Sequence, residues 1–453
     1  MTECIQDRWD FASVHGTRKI VAEFSGGTIS SDGGGLLLQE TDSKMNLLAR
    51  FSQCFIDGRN PDLIEHSVEQ MIRQRVYALA LGYEDLNDHD QLRQDPLLGL
   101  LAGKAEPGIE PLAGKSTLNR MELGTGMLTR YKKITYWRDS VDELLVDVFL
   151  EAHSVAPQQI VLDIDTTDMA IHGNQEGRFY HGYYGHYCYL PLYIFCGDHV
   201  LCARLRPSDI GPAVGSRKEV ERIVQQIRQR WPEVPIILRG DSGFCGNELM
   251  QWCEQNQVEF VIGMARNQRL ETLVAGPLAD AQQQFESTQQ PARIFVEFEH
   301  ETLNGSWSRK RRVVAKAEHL NGKSNPRFIV TSLDPENWEK QKLYEELYCA
   351  RGDMENRIKE QFVLFADRVS ASTMRANQLR VYLSVIAYTL MSGLRRLGLQ
   401  ATALATAQVG TIRLRLLKIG ALVRVTVRKV WVRMASSYPY QDLFSQVLLQ
   451  LRN

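Results

Sequence analysis

The sequence has no C-x-x-C pair: its eight cysteines (Cys4, Cys54, Cys188, Cys196, Cys202, Cys245, Cys253 and Cys349) are scattered through 453 residues. That spacing excludes a zinc ribbon or a dithiol redox motif and predicts free, buried thiols. Long apolar runs are also missing. The longest, Val381 to Leu394, is fenced by Arg380 and Arg395 and falls short of the ~20 residues a bilayer requires, so no membrane partner is expected. Met1 to Trp9 has no basic start followed by an apolar stretch and no small-residue cleavage site, which gives the expectation of a cytoplasmic protein. Glycine (33) and proline (15) are not enriched, and no repeat of 20 to 50 residues is found, which excludes fibrous, low-complexity and solenoid architectures. Charge of either sign is not in excess, since the net is -1, so the whole-chain sum points to no partner. What is present is 44% hydrophobic and 24% charged residues. At about 150 residues per domain the chain has room for roughly three domains.

Texture divides the chain. Up to about residue 155 it reads as helical. Asn60-Pro61 offers an N-cap and a first-turn proline, Ile64, Val68, Met71, Ile72, Val76 and Leu79 recur at helical spacing, and Gly82 stands where a C-cap glycine belongs. Further helices are expected at Gly35 to Phe51, Lys115 to Glu122 and Leu128 to His153. From Gln158 the period becomes two. Ile160, Leu162 and Ile164 alternate with Val161, Asp163 and Asp165, and Tyr187 to Cys196 and Val200 to Arg206 follow as strands. A helix over Val214 to Trp231, a strand over Pro235 to Arg239, a helix over Gly246 to Asn256 and a strand over Val258 to Met264 complete a mixed α/β order. Between Arg266 and Leu333 short strands are expected (Ala292 to Glu299, Ser308 to Ala317, Phe328 to Ser332), with turns at Asn304-Gly305 and Asn321-Gly322. Phe328 to Ser332 could instead belong to the main sheet. A long helix is expected from Pro335 to about Ala366.

Three acidic positions stand out. Asp163 and Asp165, two apart on a strand, project from one face; two carboxylates there are costly to bury unless compensated, and a wet sheet edge accounts for them equally well. Asp241 follows the strand Pro235 to Arg239, at the carboxyl end where α/β sheets collect ligands, although an Asx turn would also use an Asp there. Tyr348, Arg351, Glu355 and Lys359 step by three, four and four residues and align in one helical stripe, which a solvated Glu-Lys ladder would share. Together, a strand Asp, a strand-end Asp and a helical Glu can converge on two hard divalent cations, which favour oxygen ligands. Such a pair stabilises the attacking and leaving oxygens of phosphoryl displacement.

The order of these elements and residues resembles the catalytic domain of DDE transposases, and Tyr348-x2-Arg351-x3-Glu355 resembles the helix motif of the subgroup with a β-strand insertion before its last acidic residue. The strings Asp163 to Thr167, His172 to Gly177, Arg239 to Phe244 and Arg351 to Glu360 are similar to the insertion-sequence transposase family numbered thirteen-eighty. Ser31 to Gly34, Gly82 to Asp88, Leu92 to Pro96, Asp367-Arg368 and Asn377 to Arg380 extend the likeness over nearly the whole chain. The resemblance implies an α/β fold: an RNase H-like catalytic core (156-265, resuming over 335-395 with the Glu) interrupted by a β-rich insertion (266-334). A helical N-terminal domain (1-155) with DNA contacts precedes it, and a basic C-terminal region (396-453) follows. It implies two Mg²⁺ or Mn²⁺ ions, cleavage and strand transfer on double-stranded DNA at element ends and target, a homodimer on DNA, and a bacterial protein near the nucleoid. Asp165, Asp241 and Glu355 are then the catalytic and metal-binding carboxylates, with Asp163 the alternative first carboxylate; Arg351 and Tyr348 contact phosphate. Where the subgroup places a Lys seven residues after the Glu, this chain has Phe362, and Lys359 is the cation one turn after Glu355.

Charge distribution bears on a polyanion independently. Arg368 to Gln441 holds 12 basic and no acidic residues, leaving 41 basic and 54 acidic in the other 379. Arg368, Arg375, Arg413, Arg415, Lys418, Arg424 and Arg428 are therefore candidates, with Arg351 and Lys359, for DNA backbone contacts; ion pairing within the fold is the alternative. The run Arg178 to Tyr193 is rich in Tyr and Gly and suits either base stacking or a hairpin whose rings fill a sheet surface. His172, His181 and His186 show no zinc spacing. Gly240 to Gly243 is similar to a serine-protease nucleophile string but lacks the surrounding context. The competing classes are an RNase H-like metal-dependent nuclease and a domesticated DNA-binding protein without transposition.

Overall fold

The computed structural model describes residues 8–11, 19–302, 305–320 and 323–453. The turn positions Asn304, Asn321 and Gly322, and Cys4, lie outside them. The chain forms two compact units: one of residues 49–60 and 120–392, the other of 1–48, 61–119 and 393–453.

The larger unit is built on one mixed sheet. Its strands lie in the order His199–Arg204, Leu192–Cys196, Ile160–Thr166, Ile236–Gly240, Glu259–Met264, Arg327–Thr331, Arg311–Leu320 and Ala292–His300, with Lys323–Ser324 pairing beside Arg311–Leu320. Ile160–Thr166, Ile236–Gly240 and Glu259–Met264 run parallel, while Leu192–Cys196 is antiparallel to the first of them. The strands of 292–331 thus continue the sheet past Glu259–Met264 and form no separate body; Phe328 to Ser332 belongs to the main sheet, paired to Glu259–Met264. Two helices that the sequence did not predict, Gln268–Leu273 and Ala275–Thr288, precede this extension.

Alternation along the strands decides what each face meets. Leu162, Ile164, Leu238, Phe260 and Ile262 point to one face, where they bury against Val220, Ile223 and Ile227 of the helix Ser216–Arg230 and Leu249 and Met250 of the helix Asn247–Gln255. Ile237, Val261 and Ile329 point to the other, against Leu343, Tyr344 and Leu347. At ~25 cal/mol per Å² of apolar surface, each such fully buried side chain contributes about 1.5–3 kcal/mol. Asp163 and Asp165 lie on this second face, buried beneath the late helix, so the wet-edge alternative is excluded.

Several expected elements are divided. The long strand Tyr187 to Cys196 breaks into His186–Tyr189 and Leu192–Cys196 at Pro191, which cannot donate to a ladder. The expected helix Leu128 to His153 begins only at Arg138, because Ile134–Tyr136 pairs as a strand with Phe55–Asp57. The late helix starts at Lys340, passes through a π-helical segment Leu343–Tyr348 and a 3₁₀ turn Cys349–Arg351, and becomes α-helical over Gly352–Val363.

In the smaller unit, the helix Val68–Leu81 is capped by Ser67 in a capping box with Gln70, not by Asn60, and Gly82 closes it in the left-handed conformation at φ 99°. Gly35 to Phe51 is two helices, parted at the left-handed Asn46. A hairpin, Ala421–Val425 with Val430–Met434, pairs through its first strand with Ile29–Ser30. Among the described residues no helix is long and apolar enough to cross a membrane; Val381 to Leu394 lies in the helix Met374–Gly398, almost wholly buried. The described cysteines are free; Cys349 is exposed, against the expectation of burial.

Candidate active site

The pairing of two parallel strands sets the acidic residues side by side. Arg239 is in register with Asp163, and Gly240 with Ile164, so Asp241 follows where Asp165 follows on the neighbouring strand. The two rungs differ in charge. Arg239 Nε and Nη2 grip both oxygens of Asp163 at 2.5 and 2.7 Å, and Arg239 Nη1 also donates to the Leu347 carbonyl. Burial raises the Asp163 carboxyl, and Arg239 opposes the rise. The second rung has no such in-sheet cation.

Asp165 is 8% exposed. Burial pushes its carboxyl up to about 6; Arg351 pulls it back, and the charge of Asp241 adds to the rise. One oxygen accepts from the Thr166 amide at 2.8 Å and the other from Arg351 Nη1 at 2.8 Å. Asp241 begins the 3₁₀ turn Ser242–Phe244 and accepts from the Gly243 amide at 2.8 Å; the Asx-turn role and proximity to Asp165 therefore coexist.

The late helix completes the arrangement. Arg351 Nη2 lies 3.5 Å from Glu355 Oε1, so one guanidinium spans Asp165 and Glu355. Burial alone would lower the Arg351 pKa, but Asp165, Tyr348 and Asp241 raise it above its usual value, keeping the cation charged. Tyr348 lies over Gly263: a Cβ there would stand 2.5 Å from Tyr348 Oη and 2.9 Å from the Ser242 amide nitrogen. A glycine is what lets the tyrosine approach the Asp241 turn. Burial, with the charge of Asp241 adding, raises the Tyr348 phenol against the pull of Arg351, so it remains a neutral donor. Lys359 is exposed on the same helix.

The structure thus brings together Asp165, Asp241, Tyr348, Arg351 and Glu355; Glu355 is joined to Asp165 through Arg351 rather than directly. Among the described residues no three acidic, histidine or cysteine side chains stand grouped at metal-ligating distance. The donor chemistry nevertheless fits a hard cation, because Asp165, Asp241 and Glu355 present carboxylate oxygens.

The family model for transposase DDE domains, group 1, matches residues 12–453. The chain belongs to that family of DDE transposases. No curated protein compared with the chain matches it. Among solved structures, the piggyBac transposase synaptic complex with hairpin DNA is similar at TM-score 0.44 and 10% identity, covering 86% of this chain and 80% of that one.

Sequence reasoning assigned no role to Arg239 or Gly263 in this DDE chain. Arg239 lies two residues before Asp241, hence on one face with it, but only strand register reveals that its partner is Asp163. The basic residues divide as well. Arg375 donates to Thr135 and Tyr136 and stacks on the Tyr136 ring at 4.2 Å, and Arg380 pairs with Glu122 at 3.0 Å. Arg413 donates to the carbonyls of Leu79 and Ala80, and Lys418 pairs with Asp32 at 2.6 Å. Arg368 has Asp367 at 4.0 Å. Arg415, Arg424 and Arg428 are exposed. On the outer face of the hairpin Arg424 lies opposite Trp431, which Lys429 and Arg433 flank at 5.6 and 6.0 Å.

Proposed function

We propose that this chain is the transposase of an insertion sequence, cutting double-stranded DNA at the element's ends and joining it to a target with Mg²⁺ or Mn²⁺ in the bacterial cytoplasm. The observation that carries the reading is the pair Asp165 and Asp241 at the carboxyl ends of adjacent parallel strands, with Arg351 of the late helix bridging Asp165 to Glu355. Support for an RNase H-like core comes from the sheet order, in which the second strand of the chain runs antiparallel beside the first and the next two run parallel to it. The motif strings supply the finer likeness to family thirteen-eighty.

Asp165, Asp241 and Glu355 are the carboxylates that would hold the ions; Asp163 is set aside because Arg239 occupies both its oxygens. Bound there, divalent ions would polarise the scissile phosphate and lower the pKa of an attacking water or hydroxyl. The chain's own residues do the remaining work. Tyr348 and Arg351 donate to phosphate oxygens, Arg351 adds charge stabilisation where negative charge develops, and Gly263 lets Tyr348 approach the Asp241 turn. The exposed hairpin cations Arg424 and Arg428 attract the DNA backbone without reading sequence. Two ends must be held together for coupled joining, so the working species is a homodimer on DNA.

The full chain, incubated with Mg²⁺ and duplexes carrying the DNA that flanks its coding region, should cut and join them. Asp241→Ala should abolish cleavage while leaving binding measurable. An Asp241→Ala protein that still cuts would overturn the assignment.

A further inference from the structure

The chain leaves the Asp165 strand at Thr166 and returns beside it as Leu192–Cys196, whose Tyr193 is the register partner of Asp165. Between these points it forms a small sheet of Met169–Ala170, His186–Tyr189 and Phe179–His181. The hairpin therefore springs from the carboxyl end of the strand that carries the first carboxylate. Its two faces differ. One carries His181, His186, Cys188 and the 42% exposed Phe179: His186 Nε2 meets Asp168 Oδ2 at 2.8 Å, the His181 and Tyr184 rings lie 4.8 Å apart, and Cys188 is buried.

The other face presents tyrosines. Tyr180 and Tyr187 are a cross-strand pair with ring centroids 5.6 Å apart, 58% and 43% exposed, and Tyr183 at the tip is 87% exposed. The Arg178 guanidinium lies 4.2 Å from the Tyr187 ring centre. The rings do not fill the sheet surface. Tyr180 and Tyr187 form a contiguous exposed aromatic pair, Tyr183 leans on Tyr184 at 5.1 Å at the tip beside it, and the mix of flat π surface with one guanidinium is the chemistry that takes nucleobases and their phosphates. A paired duplex hides its base faces, so only unpaired nucleotides can use such a platform.

We infer that Tyr180, Tyr183 and Tyr187, with Arg178, form a stacking platform for unpaired nucleotides of the DNA strand whose phosphate is held at Asp165. The inference rests on the proposed transposase reading and adds a substrate form: DNA opened beside the cut. The rings hold the exposed bases and Arg178 holds the adjoining phosphate.

The test compares the full-length protein with Tyr180→Ala/Tyr183→Ala/Tyr187→Ala and with the matching Phe triple. Binding is followed by fluorescence anisotropy in EDTA, using a labelled duplex and the same duplex carrying a short unpaired gap; cleavage of intact and pre-opened duplexes is followed in Mg²⁺. The wild-type chain should prefer the gapped probe, the Ala variant should lose that preference by roughly tenfold or more for each stacked base, and the Phe variant should keep it. Cleavage by the Ala variant should fall more on intact than on pre-opened DNA. Equal wild-type affinity for both probes, or an Ala variant that keeps the preference, overturns the platform. So does a variant whose only change is in self-association, which would make the face a contact between copies. Metal-dependent cleavage without tyrosine dependence would leave the transposase reading standing and remove this one; failure of the wild type to bind or cut DNA would remove both.

Discussion

The guanidinium of Arg351 stands 2.8 Å from Asp165 and 3.5 Å from Glu355, occupying as a single positive charge the space between two acids that come from a central strand and a late helix. In the absence of other cations it is the charge that makes buried Asp165 tolerable next to Asp241. Removing it should therefore act in opposite directions on ion binding and on turnover. Arg351→Gln should bind Mn²⁺ several-fold more tightly, measured by titration calorimetry, because a competing internal cation is gone. Its cleavage rate should fall by about tenfold to a hundredfold, the loss expected for one charge-assisted hydrogen bond. Weaker Mn²⁺ binding would show that the guanidinium does not compete with the ions.

The Asp163–Arg239 pair is buried at 5% and 7% exposure and should behave as structure. Arg239→Leu alone strands a buried carboxylate and should cost about 3–5 kcal/mol in urea unfolding, whereas Asp163→Leu with Arg239→Met should recover most of it. The double variant should still cut DNA. Loss of cleavage from a stably folded double variant would return Asp163 to the catalytic set.

The exposed and buried arginines of the basic segment should separate by assay. Arg424→Gln with Arg428→Gln should weaken binding to every DNA sequence and shallow the plot of log affinity against log salt by nearly one unit for each phosphate no longer neutralised. Arg375→Gln and Arg413→Gln remove interior hydrogen bonds and should lower the thermal midpoint with little change in slope. An unchanged slope for the first pair would move the DNA surface away from the hairpin.

His89 gives the smaller unit an acid sensitivity. It is fully buried, 2.9 Å from Gln74 and 3.1 Å from Arg75, and burial, with Arg75 adding, holds its pKa down at about 3. Because the folded value lies below the unfolded one, the unfolded chain takes up the proton first. The stability associated with neutral His89 is complete above pH 6.5 and drains as pH falls toward 3. Between pH 7 and pH 5 the loss should be about 2 kcal/mol, and His89→Gln should unfold with a correspondingly flatter pH profile. Equal slopes for both proteins would refute it.

The parts of this fold legible in the sequence are those with strong periodicity. The alternation around Asp163 and Asp165, the apolar helical stripe through Val76 and Leu79 and the glycine at 82 each mark local geometry that tertiary packing then keeps. What escaped lacks a local signal. Ala275–Thr288 buries only Ala281, so no apolar stripe announces the helix. The pairing of Arg239 with Asp163 depends on register between strands 76 residues apart. Which candidate arginines reach solvent was equally hidden, since Arg375 and Arg424 look alike as residues and differ only in what packs around them. At the site, residue types were readable and their company was not: Asp165 and Asp241 stood out, while the guanidinium between Asp165 and Glu355 came from the fold.

The π-helical segment Leu343–Tyr348 carries a consequence for how this enzyme can vary. A π turn holds one residue more than an α turn, so it rotates everything beyond it by roughly 100° relative to an unbroken helix. Leu343 and Tyr344 anchor the start of the segment against the sheet, while Leu347, Arg351 and Glu355 take their bearing from the count of residues in between. Deleting exposed Glu345 or Glu346 would leave every side chain of the site intact and swing Arg351 and Glu355 about a quarter-turn off target. At this point the chain tolerates changes of letter far better than changes of length.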